Sequence, residues 1–160
     1  MSQHLSQSTQ FGKSFDFINL GRAIFPLIPK QISHYRIVNN RIESEACEIS
    51  VVDHCNLTCR ACSHLSPVIQ RHSQSPAEIE HDLSLLSNFY HVEHVRLLGG
   101  EPLLHPNILE IIKAVRRSEI TRRIRIITNG SFPHRMTSEF WEDADEVHIS
   151  IYPSNTITSA

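Results

Sequence analysis

Three of the four cysteines in this chain lie within eight consecutive residues. Cys55, Cys59 and Cys62 stand in the segment DHCNLTCRACSHLSP with the spacing C-x3-C-x2-C. Thiolates bind zinc, cuprous copper and iron–sulfur clusters. The N-terminal sequence MSQHLSQSTQ is too polar for an export signal, so we expect the reducing cytoplasm, where disulfides are rare. The spacing therefore predicts a metal or cluster site.

Two kinds of site are compatible with this triplet. A structural zinc site takes four protein ligands, and His54 or His64 would complete a Cys3His set. Zinc modules usually carry two separated cysteine pairs, however, so one compact triplet favours a four-iron cluster with each cysteine on its own iron. The fourth iron would then lack a protein ligand, and an open position is typical of a reactive site.

Composition excludes several other classes of protein. The chain has 160 residues, which is enough for one domain with its own core, and a formal net charge of −2. Such a charge does not favour general binding of nucleic acid or of a membrane surface. The early apolar stretch AIFPLIP is too short to cross a membrane. We therefore expect neither nucleic acid nor a membrane as a partner.

Strand and helix patterns alternate from residue 46 onward. Strands are predicted over 46–52, 95–98, 123–128 and 146–152, and helices over 75–86, 107–117 and 137–143. Ser75 and Asn107 are the predicted caps of the first two helices. The alternation predicts an α/β fold with parallel strands and right-handed crossovers. Residues 1–45 are expected to form a partly disordered lead-in, and residues 46–160 the main domain.

Each distinctive motif follows a predicted strand. The cysteines follow the first strand, Gly99-Gly100-Glu101 the second and Asn129-Gly130 the third. The carboxyl ends of parallel strands share one rim, so we expect these motifs to meet there. Arg96 and Arg125 lie within the strands; they would suit an anionic substrate, although the sequence favours surface charges.

The order of two motifs resembles a known family. CNLTCRAC, followed roughly 40 residues later by GGEPLLHP, is similar to the radical S-adenosylmethionine (SAM) superfamily. The resemblance implies a partial (β/α) TIM-like barrel, of which residues 46–160 would supply about four units and remain an incomplete core. It also implies two cofactors, a [4Fe–4S] cluster and SAM.

The resemblance further assigns residues to these cofactors. The cluster ligands would be Cys55, Cys59 and Cys62. The residues that contact SAM would be Gly99, Gly100, Glu101, Asn129 and Ser150, with Glu101 near the SAM amino group. Ala61 departs from the family, which often has an aromatic residue before the third cysteine.

The implied reaction is the reductive cleavage of SAM. The reduced cluster gives one electron to the sulfonium, and a 5′-deoxyadenosyl radical then abstracts hydrogen from an unknown substrate. A flavodoxin or ferredoxin would be the reductant. The sequence ACSHLSP resembles subsets that act on peptides or carbohydrates. The alternatives are a non-catalytic iron–sulfur protein, a Cys3His zinc protein or an inactive fragment.

Overall fold

The computed structural model describes residues 31–32 and 34–151. Within them one sheet of six strands is packed with three α-helices. The strands are β1 (Gln31–Ile32), β2 (Tyr35–Val38), β3 (Arg41–Val52), β4 (Tyr90–Gly99), β5 (Thr121–Thr128) and β6 (Glu146–Ile149). The helices are α1 (Pro76–Ser87), α2 (Ile108–Arg117) and α3 (Ser138–Asp143).

The sheet follows the order of the chain from β1 to β6. Strands β3 to β6 pair in parallel, and α1, α2 and α3 connect them in turn. A helix between neighbouring parallel strands is the crossover that βα units use. The predicted α/β fold with a parallel sheet is confirmed, and its four parallel strands match the expected partial TIM-like barrel.

An antiparallel hairpin precedes the parallel strands and was not predicted. Strands β1 and β2 pair with each other, and β2 pairs with β3. Asn39 and Asn40 make the β2–β3 turn with positive φ angles of 51° and 62°, which asparagine tolerates better than most residues. Strand β3 begins at Arg41 and therefore runs across the boundary that was predicted between residues 45 and 46. The division into 1–45 and 46–160 stays a prediction, and residues 1–30 lie outside the described part.

Helix starts were predicted correctly, but their capping interactions were not. Helices α1 and α2 follow Ser75 and Asn107, yet neither side chain makes a capping hydrogen bond. Among α1, α2 and α3, only α3 has a side-chain cap, where Thr137 Oγ1 accepts from the Phe140 N–H at 3.3 Å. Strand β6 ends at Ile149, so Ser150 follows the strand instead of lying on it as predicted.

The hydrophobic core lies between the sheet and the helices. Strands β4 and β5 bury alternate aliphatic residues against α2. These side chains, at most 1% exposed, are Val95, Leu97, Ile124 and Ile126 from the strands and Ile111, Ile112 and Val115 from the helix. Cys47, the fourth cysteine, is partly buried and packs against the edge of this core. No helix of residues 31–32 and 34–151 is long and apolar enough to cross a membrane.

Candidate functional site

The loop after β3 carries the three cysteines at the carboxyl end of the sheet. Cys55, Cys59 and Cys62 are half-buried free thiols. Backbone hydrogen bonds return the end of this loop to the strand: Asp53 N–H donates to His72 O at 3.0 Å. The loop is therefore closed at its base, and its thiols stay near the sheet.

The Gly-Gly-Glu segment after β4 lies directly against the start of this loop. Gly100 N–H donates to Val52 O at 2.7 Å, and Glu101 N–H donates to His54 O at 3.0 Å. A Cβ atom on Gly100 would overlap His54 O, and one on Gly99 would overlap Val52 O. Gly99 also has a φ of 135°, which favours glycine. Both glycines are thus required because two backbone segments touch here.

Glu101 is fully buried, and protein groups surround its carboxylate. Oε1 accepts hydrogen bonds from Leu103 N–H at 3.0 Å and from Thr128 Oγ1 at 2.6 Å. Oε2 accepts from Asn129 N–H at 2.7 Å. The side chain therefore joins the end of β4 to the end of β5. The predicted contact between this carboxylate and the SAM amino group stays a prediction.

Asn129 continues this link from β5 to the cysteine loop. Its Nδ2 donates to Asn56 Oδ1 at 2.8 Å and to Cys55 Sγ at 3.6 Å. Its Oδ1 accepts from Ser131 N–H at 2.9 Å. The structure thus brings Glu101, Asn129 and Cys55 together, as expected from their places after three neighbouring strands. Asn56 was missed, and its position next to a cysteine was the only signal in the sequence.

The environment shifts two thiols in opposite directions. Burial raises the pKa of Cys55, and the nearby Glu101 carboxylate raises it further, against a hydrogen bond from Leu57 N–H at 3.4 Å. Burial alone would also raise the pKa of Cys62. Hydrogen bonds from the turn after Cys62, with Ser66 foremost, outweigh burial and lower that pKa. Cys62 is therefore the more readily ionised of these two thiols.

The donor set fits an iron–sulfur cluster in its chemistry. Three half-buried thiols on one loop are the ligands that a four-iron cluster takes, each on a separate iron. In the described part of the chain, no three His, Cys, Asp or Glu side chains are placed to bind one metal ion. His64 Nδ1 bonds Ser63 Oγ at 3.3 Å, while His54 Nδ1 is buried without a partner. The Cys3His zinc site stays a hypothesis.

Ser150 reaches the same rim through its backbone. Its N–H donates to Thr128 O at 2.8 Å, one residue before Asn129. The predicted site residues therefore gather at the carboxyl ends of β3 to β6. Their contacts with a cofactor remain expectations from the sequence.

The sheet face opposite the core carries a row of charges. Glu48, Arg96, Arg125 and Glu146 are cross-strand neighbours on β3 to β6. Arg96 binds Glu48 at 3.3 Å, and Arg125 binds Glu146 at 2.6 Å. The arginine side chains are only 28% and 15% exposed. Both arginines are therefore partly exposed members of ion pairs, and a role in binding an anionic substrate stays untested.

Comparison with known proteins identifies relatives of this chain. A GTP 3′,8-cyclase of Aquifex aeolicus is 38% identical over 88 residues, 52% of this chain and 27% of that protein. A GTP 3′,8-cyclase of Synechocystis is 31% identical over 121 residues, 72% and 34% of the two chains. Molybdenum cofactor biosynthesis protein 1 of Bos taurus is 36% identical over 84 residues, 51% and 13%. The chain thus spans about a third or less of these relatives.

A solved structure and a family model also match. The crystal structure of BtrN in complex with AdoMet and 2-DOIA matches with a TM-score of 0.49 and 24% identity, over 66% of this chain and 44% of that one. This likeness is too low to carry an argument. The model of the family described as "Radical SAM superfamily" matches residues 49–152, which is more than half of the chain. The chain therefore belongs to the radical SAM superfamily, whose enzymes use a [4Fe–4S] cluster and S-adenosylmethionine.

Proposed function

We propose that this chain is the cofactor-binding part of a radical SAM enzyme. Cys55, Cys59 and Cys62 bind the [4Fe–4S] cluster, whose fourth iron is left for SAM. The bound cofactors supply one-electron chemistry, the reductive cleavage of SAM to a 5′-deoxyadenosyl radical that abstracts hydrogen from a substrate. The observation that carries this proposal is the hydrogen-bonded link from Glu101 through Asn129 to Cys55, which fixes the second motif beside the first.

The protein's own residues position and shield the cofactors. The cysteine loop, with its thiols half-buried, would hold the cluster at the rim, and the loop is itself held at its base by the Gly-Gly-Glu segment. The segment from Gly99 to Glu101, Asn129 and Ser150 would hold SAM at the rim. Since the Glu101 carboxylate already accepts three hydrogen bonds, the backbone of this segment is the better candidate for the SAM amino group.

A phosphate-bearing substrate is the one substrate class that an observation favours. Two of the relatives are named for GTP, which carries phosphate groups that guanidinium groups bind. Both guanidinium groups lie on the sheet face opposite the core, and Arg96 Nε is buried without a partner. Binding of radiolabelled GTP to the reconstituted protein, lost in Arg96→Ala, tests this candidate. A peptide or carbohydrate substrate stays a prediction.

The remaining partners are proposed from the family chemistry. One electron for each SAM cleaved has to come from a reductant, and a flavodoxin or ferredoxin in the cytoplasm is our candidate. The test is to add reduced, purified flavodoxin to the reconstituted protein and to measure the loss of the cluster's visible absorption.

Anaerobic reconstitution with iron and sulfide tests the central proposal. The expected product is a brown protein with about four irons per chain. SAM should change the electron paramagnetic resonance (EPR) spectrum of the reduced cluster, and dithionite should then release 5′-deoxyadenosine and methionine. Cys59→Ala should lose the cluster. Cys47→Ala is the matched control and should keep it, because Cys47 packs against the core on β3.

Other outcomes would replace the proposal. A colourless protein with one zinc per chain would identify the Cys3His site. A brown protein whose EPR spectrum ignores SAM would identify a non-catalytic iron–sulfur protein.

A further inference from the structure

We propose that Asn129 tunes the reduction potential of the cluster by donating an N–H···S hydrogen bond to Cys55. This inference rests on the proposed function, since it concerns a cluster bound by that thiolate. It differs from the expectation that Asn129 contacts SAM, because a bond to a cysteine ligand acts whether or not SAM is bound. Asn129 is a positioning residue in this proposal.

The orientation of the Asn129 side chain is fixed by its neighbours. Ser131 N–H can only donate, so the atom it meets at 2.9 Å is the amide oxygen. The amide nitrogen is then turned toward Cys55 Sγ at 3.6 Å and Asn56 Oδ1 at 2.8 Å. Asn56 is itself held by a hydrogen bond from its Nδ2 to Ser131 Oγ at 3.1 Å. The hydrogen bond between the two amides, together with their bonds to Ser131, therefore directs an N–H group of Asn129 at the sulfur.

Burial makes this donor effective. Asn129 is only 7% exposed, so water competes little for its amide hydrogens. Its backbone N–H is held by the fully buried Glu101 at 2.7 Å, which keeps the residue in place. This donor comes from the end of a different strand, whereas the Leu57 N–H that also bonds Cys55 belongs to the cysteine loop itself, as do the donors that act on Cys62.

The electrostatic consequence has a definite sign. A hydrogen bond to a ligand sulfur draws electron density from the thiolate and favours the reduced cluster, so it raises the reduction potential. The Glu101 carboxylate near Cys55 acts in the opposite direction, because a negative charge disfavours an added electron. Asn129 forms hydrogen bonds with both Glu101 and Cys55. Its bond to Cys55 offsets part of the decrease in reduction potential that the Glu101 charge causes.

Redox titration of the reconstituted protein without SAM tests the proposal. Asn129→Ala removes the donor without adding charge, and its midpoint potential should lie below that of the wild type. Asn129→Asp should lie lower still, because it replaces the donor with a charge. Asn88→Asp makes the same chemical change at an exposed position after α1 and should leave the potential unchanged. Resonance Raman spectra should show a smaller shift in D2O for Asn129→Ala than for the wild type.

Each outcome of these measurements either supports or overturns the proposal. An unchanged potential in Asn129→Ala, or a shift that requires SAM, would overturn the proposal, the latter in favour of a SAM contact. Loss of iron from both Asn129 variants, with folding intact by circular dichroism, would also overturn it, since Asn129 would then serve cluster assembly. A wild-type protein that binds no cluster would instead refute the proposed function, and the two failures are thus distinguished.

Discussion

The carboxylate of Glu101 accepts the backbone N–H of Asn129 at 2.7 Å, and this bond joins the ends of two neighbouring parallel strands. Glu101 is fully buried at the end of β4, and Asn129 directly follows β5. A glutamate that family resemblance connects with a cofactor therefore also organises the rim internally. The cysteine loop depends on it in turn, since Asn129 reaches Cys55.

Replacing Glu101 with alanine should destabilise the protein strongly. The change leaves three donors, Leu103 N–H, Thr128 Oγ1 and Asn129 N–H, without their buried acceptor. Each unsatisfied buried group costs about 1–3 kcal/mol, so we expect a loss of at least about 3 kcal/mol. Urea unfolding of the cluster-free protein, monitored by circular dichroism, measures this loss in the free energy of unfolding.

Glu110→Ala is the matched control for this change. Glu110 is 53% exposed and pairs with Lys113 on the surface of α2, where such pairs contribute little. The control should unfold at nearly the wild-type urea concentration. Equal midpoints for the Glu101 and Glu110 variants would show that the buried acceptor contributes nothing to stability.

Gly100→Ala should disturb the contact between the two motifs. The new methyl group would meet the His54 carbonyl oxygen, a backbone atom that cannot move without displacing the cysteine loop. Overpacking of this kind costs about 1–3 kcal/mol, and cluster retention should fall with it. Iron content after desalting and the urea midpoint measure both effects.

Gly130→Ala provides the comparison for Gly100→Ala. Gly130 has a φ of 75°, and an added methyl group would lie 2.8 Å from Ile149 Cγ2, a side chain that can turn away. We expect about 1 kcal/mol from the backbone strain and little loss of iron. The expectation fails if Gly130→Ala loses more iron than Gly100→Ala.

The strands and helices that hold the site were predictable, because the residue spacing within each element and the alternation of strands and helices along the chain indicated the same fold. Parallel strands between helical crossovers place every strand end on one rim, so the motifs at Cys55, Gly99 and Asn129 had to meet. The starts of α1 and α2 followed from Pro76 and from the aliphatic spacing of Ile108, Ile111 and Ile112.

The remaining features depend on contacts that sequence patterns do not encode. The antiparallel strands before the parallel sheet were missed because the Asn39-Asn40 turn joins β3 to β2, which has only four, mostly exposed, residues and no clean alternation. Gly99 and Gly100 were expected to contact SAM, which stays a prediction; their close approach to Val52 O and His54 O, at the start of the chain's own cysteine loop, was not foreseen. The ion pairs of Arg96 could not be predicted, because its partners Glu45 and Glu48 lie on another strand.

Phe140→Ala should be far more destabilising than Trp141→Ala. The two side chains are adjacent on α3 and meet edge to face at 5.0 Å, but Phe140 is 1% exposed and Trp141 is 43% exposed. Truncation of a buried phenylalanine costs about 3–5 kcal/mol. Thermal unfolding of both variants at one pH measures the difference, and similar melting temperatures would argue against a buried anchor on α3.

His105 should make the stability of the protein depend on pH. Its Nε2–H donates to Gln74 O at 2.9 Å, and its Nδ1 accepts from Asn107 N–H at 3.0 Å, which together fix the neutral ring. Burial lowers the pKa of His105 below its usual 6.5, and the nearby His54 lowers it further. The unfolded chain therefore takes up this proton more readily than the folded protein does. Its contribution to stability is present above about pH 6.5 and is lost as the pH falls below it.

His105→Gln should remove this component of the pH dependence. Urea midpoints of the cluster-free protein, measured from about pH 7.5 to about pH 5.5, should fall less steeply for the variant than for the wild type. The variant should be less stable at the upper end, because the buried ring bridges Gln74 and the start of α2. His81→Gln, at an exposed position on α1, is the control and should keep the wild-type slope. Parallel curves for wild type and His105→Gln would show that this histidine is protonated equally well in both states.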